Sequence, residues 1–379
     1  MTTDADADAA FAVALSLLPG CGQHRLRALL ATGSARQAWY AIRDGAAANH
    51  DLGPPSLQAK WRAAAAHIDP HDAWQAVVDQ HAGAWVLGQP DYPETLADDP
   101  DPPPILYWQG DRTALARPSV AIVGTRRCTS YGSDVARQLG RDLATAGVAI
   151  VSGLALGIDG AAHEGALAAR PQPPTPPIAV VGSGLDVVYP ARHRQLWQRV
   201  RDNGLLLSEA PLGSPPDAWR FPLRNRIIAA LAQVVVVVES HAAGGSMSTV
   251  RWAIERGVPV MAVPGSVRSP SSAGTNHLLS EGVAPVTDVQ DVLVALSLEG
   301  AAVPPPPPDR AAEPHPTNAR SPTEAAVLAA VDWTPTATED VLRCTGFSLG
   351  RATAVLARLE QQGAIRRRAG WWERVGQPQ

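Results

Sequence analysis

The sequence predicts an α/β protein in which a parallel sheet covered by helices is preceded by a helical domain and followed by a winged helix. Three observations point there. Between Val120 and Val263, short apolar, β-branched runs alternate with segments of helical periodicity, the pattern of strands buried on both faces. Residues from about 8 to 80 carry alanine, leucine and tryptophan at helical spacing, punctuated by glycine. Beyond five consecutive prolines, Pro304 to Pro308, three short helical patterns lead into two short strand patterns.

Taken in order, the helical region contains Leu18-Pro-Gly-Cys-Gly22 followed by Leu26, Leu29 and Leu30. This is similar to a helix–hairpin–helix, whose glycines can offer N–H groups to a phosphate. A tight turn between helices, with no ligand, is the favoured reading. The first domain is expected over residues 1–85. Pro102-Pro-Pro-Ile-Leu-Tyr-Trp-Gln-Gly110 leads into the core, expected over 86–298. Strands are expected at 120–123, 148–152, 178–181, 205–208, 234–238 and 258–263. Helices are expected at 133–146, 161–169, 192–203, 226–231 and 248–256. Residues 299–320 read as an extended, semi-rigid linker. In the last domain, 321–379, helices are expected at 322–331, 338–344 and 349–362. Gly346 stands in the turn before the third, and 361–368 with 371–374 form the wing.

In parallel sheets of this kind, ligands bind beyond the carboxyl ends of the strands. The first strand ends in Gly124-Thr-Arg-Arg127. Gly124 lets the backbone turn and bring N–H groups to a ligand, and the following helix N-terminus favours negative charge. Arg126 and Arg127 add cationic forks suited to phosphate. Three more glycine-bearing turns are expected on the same rim: Ser152-Gly-Leu-Ala-Leu-Gly-Ile-Asp-Gly-Ala-Ala-His163, Gly182-Ser-Gly-Leu-Asp-Val-Val-Tyr-Pro190 and Gly244-Gly-Ser-Met-Ser248. Phe221-Pro-Leu-Arg-Asn-Arg-Ile-Ile228 sets Arg224, Asn225 and Arg226 just before an apolar helix. Trp219 and Phe221 offer faces for base stacking. Each element alone reads as well as an ordinary turn or cap; together at the strand ends they suit a long polyanion. Asp159 and His163, four residues apart, read more readily as capping and packing than as an acid–base pair. Glu209 and Glu239 are suited to bind a ribose or to orient an arginine; the second role needs no catalysis.

Composition narrows the classes. The 379 residues are 45% hydrophobic and 18% charged, with a formal net charge of −4. A polyanion site must therefore be a local patch. Lys60 is the only lysine. Cys21, Cys128 and Cys344 lie far apart, with no zinc spacing and no disulfide framework, so neither a metal nor a cofactor is expected and a reducing cytoplasm fits. The acidic start Met1-Thr-Thr-Asp is unlike a signal peptide, and no apolar run is long enough to span a bilayer. Walker A, G-x-G-x-x-G after the first strand and G-x-S-x-G are all missing.

The motifs in combination closely resemble the DNA-processing protein A family (DprA, also called Smf). The resemblance runs in order from about 90 to 285. It takes in Asp91-Tyr-Pro93, the segment ending at Gly110, Val-Gly-Thr-Arg with Tyr131-Gly132, and Ser-Gly-Leu-Ala-x-Gly-Ile-Asp-x-x-Ala-His. It continues through Gly-Leu-Asp-x-x-Tyr-Pro, Ser208-Glu209, Arg-Asn-Arg-Ile-Ile and Val263-Pro-Gly265. It departs near Gly245, where the family usually has Ser-Gly-Ser with a following Thr-Ala and this chain has Gly-Gly-Ser-Met-Ser-Thr-Val. The resemblance implies an extended Rossmann-like, doubly wound core with a sterile-α-motif-like domain before it and a winged helix after it. It implies a homodimer that binds and protects single-stranded DNA and loads the RecA recombinase during natural transformation, with no catalysis. Carried over, Arg126 with Arg127 is the leading phosphate contact, with Arg224, Asn225 and Arg226 across the groove. Gly124, Thr125, Gly153, Gly245 and Ser246 supply donors, and Phe221 stacks a base. A role for Arg226 in pairing with Glu209 or Glu239 stays open. Two other readings remain: an enzyme resembling the cytokinin-activating phosphoribohydrolases, and a transcription regulator acting through Arg351, Arg358 and Arg366 to Arg368.

Overall fold

The structure, a computed structural model, describes residues 4–31, 33–45, 52–170, 174–301, 321–332, 335–368 and 370–374. The expected linker lies outside these beyond residue 301. The chain divides into two compact units, Met1–Pro304 and Pro305–Gln379.

The first unit opens with α1 (Asp4–Ser16), α2 (Gln23–Leu30), α3 (Ala35–Asp44), α4 (Pro55–Ala65) and α5 (Pro70–Asp79). Ser34 and Asp69 accept N–H bonds at the starts of α3 and α5. Pro55 and Pro70 stand in first turns, where an N–H would have no helical partner. Trp61 is fully buried and donates its indole N–H to the Pro19 carbonyl at 2.9 Å, which anchors the hairpin between α1 and α2. The helices share one core with the sheet edge: Leu15, Leu29 and Trp39 cluster with Ala84, Val86 and Tyr107.

The strands are β1 (Ala82–Val86), β2 (Ile105–Gly110), β3 (Ser119–Val123), β4 (Ala149–Ser152), β5 (Ile178–Val180), β6 (Leu205–Ser208), β7 (Val234–Val237), β8 (Val260–Ala262) and β9 (Ala284–Pro285). They form one sheet in the order β1-β2-β6-β5-β4-β3-β7-β8-β9. From β6 to β9 every pairing is parallel. Strands β1 and β2 are antiparallel additions at one edge. The six strands read from the sequence are β3 to β8.

Helices α6 (Glu94–Ala97), α7 (Ser130–Thr145), α8 (Ile158–Ala168), α9 (Arg194–Asn203), α10 (Arg220–Ala230), α11 (Ser246–Glu255), α12 (Ala273–Ser280) and α13 (Val289–Leu298) complete the unit. Side chains alternate across each strand, so the sheet feeds two cores. Val120, Ile122, Val234 and Val236 pack with Leu143 of α7, Ile158 of α8 and Leu296 of α13. Ala121, Val123, Val235 and Val237 pack with Ile227 of α10, Val250 of α11 and Leu278 of α12. This is the doubly wound architecture expected.

Helices α7 and α8 approach backbone to backbone. A Cβ on Gly140 would strike the Ala162 carbonyl, and one on Gly165 the Arg137 carbonyl. Gly165→Ala gains about 1 kcal/mol of helix propensity. Overpacking against rigid backbone costs about 1–3 kcal/mol and wins. A lowered denaturant midpoint is expected; an unchanged one would show that the two helices part freely.

Helix α10 begins at Arg220, six residues before the expected start at 226. Pro222 stands in the first turn, where its missing N–H leaves no helical bond unmade.

In the second unit, α14 (Pro322–Ala330), α15 (Thr338–Thr345) and α16 (Leu349–Gln361) precede an antiparallel pair, β10 (Ile365–Arg368) and β11 (Trp371–Arg374). Gly346 closes α15 with φ 68°, a left-handed position suited to glycine. Val327, Val341, Leu356, Leu359 and Trp372 form the core. The arrangement is a winged helix.

Candidate functional site

The strand order reverses its direction of growth at β3: β4 lies on one side of it and β7 on the other. A crevice opens beyond the carboxyl ends of strands at such a switch point. Here it is a cleft of about 1030 Å³, walled by residues 124–127, the first turns of α10 and α11, and Tyr189.

The loop after β3 is tied to the end of β7. The Thr125 N–H donates to the Glu239 carbonyl at 2.7 Å. The Glu239 carboxylate accepts the Thr129 N–H at 2.8 Å and its hydroxyl at 2.6 Å. Glu239 therefore holds a loop, a use neither ribose binding nor arginine pairing anticipated. Gly124 is needed for close approach, since a Cβ there would meet Ile158 and the Glu239 carbonyl.

Arg126 leaves this loop exposed, its guanidinium 5.0 Å from the centre of the Phe221 ring. Phe221 also lies 5.4 Å from the Tyr189 ring. Arg127 is exposed beside it. Neither arginine side chain has an ion pair or hydrogen bond among the described residues. A guanidinium over an aromatic face is held in place with all its donors available.

The early start of α10 decides the rest. Residues on one helix flank recur at i, i+3, i+4 and i+7; Phe221, Arg224, Asn225 and Ile228 line the cleft accordingly. Arg226, two positions from Arg224, points the other way. It bonds Glu209 and reaches Asp101 at 2.9 Å, with its side chain 3% exposed. It does not line the cleft, and a phosphate would have to displace two carboxylates to reach it. The expected DNA contact at Arg226 is thus corrected to the pairing role. Burial pushes the Glu209 carboxyl up to about 7, against the downward pull of Arg226.

Arg224 forms the cleft floor. It donates to the carbonyls of Gly153, at 2.8 Å, and Val180, and burial lowers its pKa to about 10. Gly153 lies buried beneath it and does not line the cleft. Its N–H donates to Asp159 at 3.2 Å, and a Cβ on it would strike the Arg224 guanidinium. The expected donor at Gly153 is corrected: that glycine makes room for an arginine. Burial raises the Asp159 carboxyl, while Arg224 and the Gly153 N–H pull it down. His163 is buried off the cleft and burial lowers it to about 3, so the two residues make no acid–base pair facing a ligand.

On the far wall, α11 has Gly245 as its N-cap and no side-chain cap, which leaves first-turn N–H groups for an anion. The Ser246 hydroxyl turns inward to Ser240 at 2.8 Å, so only its main chain serves the cleft. Asn225 donates to Ser248 Oγ at 2.7 Å and ties α10 to α11. Sequence reasoning missed Arg251 and His241, both exposed on the lining. Arg251 was legible as the i+3 neighbour of Ser248 on the same flank of α11.

No metal-holding group of three or more His, Cys, Asp or Glu occurs among the described residues. No helix among them is long and apolar enough to cross a membrane.

Comparison with known proteins places this geometry. The profile of the family described as DNA recombination-mediator protein A matches residues 84–297, and that of the DprA winged helix domain matches 303–370. Protein Smf of Synechocystis is 34% identical over 310 residues, 74% of this chain and 77% of the relative. The X-ray structure of DNA processing protein A from Streptococcus pneumoniae superposes with a TM-score of 0.63 at 33% identity, covering 75% of this chain and 95% of that one. The Helicobacter pylori DNA processing protein A, whose structure was described for its single-stranded DNA binding mode, gives 0.51 at 35% identity, over 57% and 97%.

Proposed function

We propose that this chain, which belongs to the DNA recombination-mediator protein A family, grips single-stranded DNA in the switch-point cleft. One observation carries the reading: Arg126, free of partners among the described residues, is stacked on Phe221 at the mouth of an amide-lined cleft. Cation and ring together match a phosphate and an unpaired base. Arg127, Arg251 and the first-turn amides at Gly245 and Ser246 continue the phosphate track, and Gly124 and Thr125 shape the loop that carries Arg126. Arg224 sets the floor's positive charge. Asn225 acts by fixing the two walls.

The role is binding without catalysis. Among the described residues the cleft's one carboxylate, Asp159, is engaged by Gly153 and neighboured by Arg224. In the cytoplasm the protein works as a homodimer, protects incoming strands during natural transformation and passes them to RecA; membership of the family supports this part. Titration of the full chain with fluorescent oligonucleotides tests the core claim. Single strands should bind tighter than duplexes of equal length, and affinity should fall as salt rises. Equal affinity for both forms would sink it.

A further inference from the structure

A second cleft, of about 630 Å³, opens on the other flank of the α10 start. One wall is the α1–α2 hairpin, Gly20 to Leu26; the other is Trp219, Arg220 and Leu223, with the ends of β5 and β6 at its base. The hairpin turns at Gly20, with φ 71°. Helix α2 is preceded by Gly22 as its N-cap, with no side-chain cap, so its first-turn N–H groups are open to an anion. Arg25 stands at this mouth, donating to the Gly20 carbonyl at 3.0 Å.

Trp219 is 57% exposed, an unusual state for the largest apolar side chain. The Arg220 guanidinium lies 4.5 Å from its ring centre, with one further bond, to Asp217 at 3.3 Å. This repeats the Arg126–Phe221 arrangement of the first cleft. Trp219 and Phe221 are two positions apart at a helix start, about 200° around the axis, so the two arginine–aromatic pairs flank one ridge. Arg224 lines both clefts. It is 6% exposed, and its buried Nε has no hydrogen-bond partner among the described residues. One buried guanidinium at the base of both clefts favours an anion in either.

We infer that this cleft is a second subsite for the same strand. The chain crosses the α10 ridge with one base against Phe221 and a following base against Trp219, and its phosphate faces the α2 N-terminus and Arg25. The hairpin thereby acquires the phosphate-facing use that its sequence left open. The inference rests on the single-strand reading of the first cleft, and its test separates the two.

The test is the affinity of the full chain for oligothymidylates of graded length, from about 4 to about 16 nucleotides, measured by anisotropy at fixed salt. Trp219 is exposed, so its replacement leaves the core intact. Trp219→Ala should weaken the longer oligomers about tenfold and leave the shortest that bind unaffected, so the gain with length shrinks. Trp219→Phe should restore most of it. Arg126→Ala should weaken every length. If Trp219→Ala keeps the wild-type length dependence, or weakens all lengths equally, while Arg126→Ala weakens binding, the second subsite is overturned and the first cleft stands. If Arg126→Ala also binds as wild type, the single-strand reading itself falls.

Discussion

Arg126→Ala is expected to weaken single-stranded DNA binding ten- to a hundredfold, the range for losing a hydrogen-bonded charge from a polyanion contact. The loss should be similar for every base sequence, because a phosphate contact carries no sequence information. The slope of log affinity against log salt should become shallower by about 0.7, one counterion fewer on a single strand. Arg126 makes no hydrogen bond or ion pair among the described residues and packs only against the Phe221 ring, so the variant should unfold at the wild-type denaturant concentration. Anisotropy at several salt concentrations checks both numbers. An unchanged salt slope would remove Arg126 from the phosphate track.

Arg226→Met should behave in the opposite way, destabilising the fold while sparing the ligand. It strips Glu209, whose side chain is 11% exposed, of its guanidinium, and breaking a buried pair from one side costs about 3–5 kcal/mol. The effect depends on pH. Burial lifts the Glu209 carboxyl from its ordinary 4.5 to about 7. The native state therefore holds a proton that the unfolded chain releases, and the contribution of Glu209 to stability falls as pH rises from 4.5 through 7. Without Arg226 the carboxyl rises further. The loss should be largest near pH 8 and shrink near pH 5, where Glu209 is neutral in the variant. Denaturant unfolding at the two pH values measures this. Oligonucleotide affinity of the folded variant should match wild type; a tenfold loss would return Arg226 to the ligand.

These two arginines show what the sequence could and could not convey. The strands β3 to β8 were legible because runs such as Val234 to Val238 are β-branched and apolar on both faces. The rim was legible because glycines and arginines gather at their carboxyl ends. Strand β1, Ala82-Gly-Ala-Trp-Val86, carries a single β-branched residue, and β2 follows three prolines; neither reads as a strand, and β2 becomes sheet by pairing with β6 and β1 by pairing with β2. Arg224 and Arg226 were read together because both stand at or just before the expected helix start at 226. Once α10 starts at Arg220, helical geometry sends them to opposite sides. Gly153 read as a donor, yet its lack of a side chain serves a neighbouring arginine. That is a packing fact, and no local pattern reports it.

The Glu239 tether has a consequence for kinetics. Three hydrogen bonds tie the Arg126 loop to Glu239, two residues past the end of β7, so a strand gripped there would meet a loop already held in place. The entropy surrendered on capture then falls mainly on the flexible polynucleotide, and the speed of encounter is left to diffusion and to the local field of the exposed arginines.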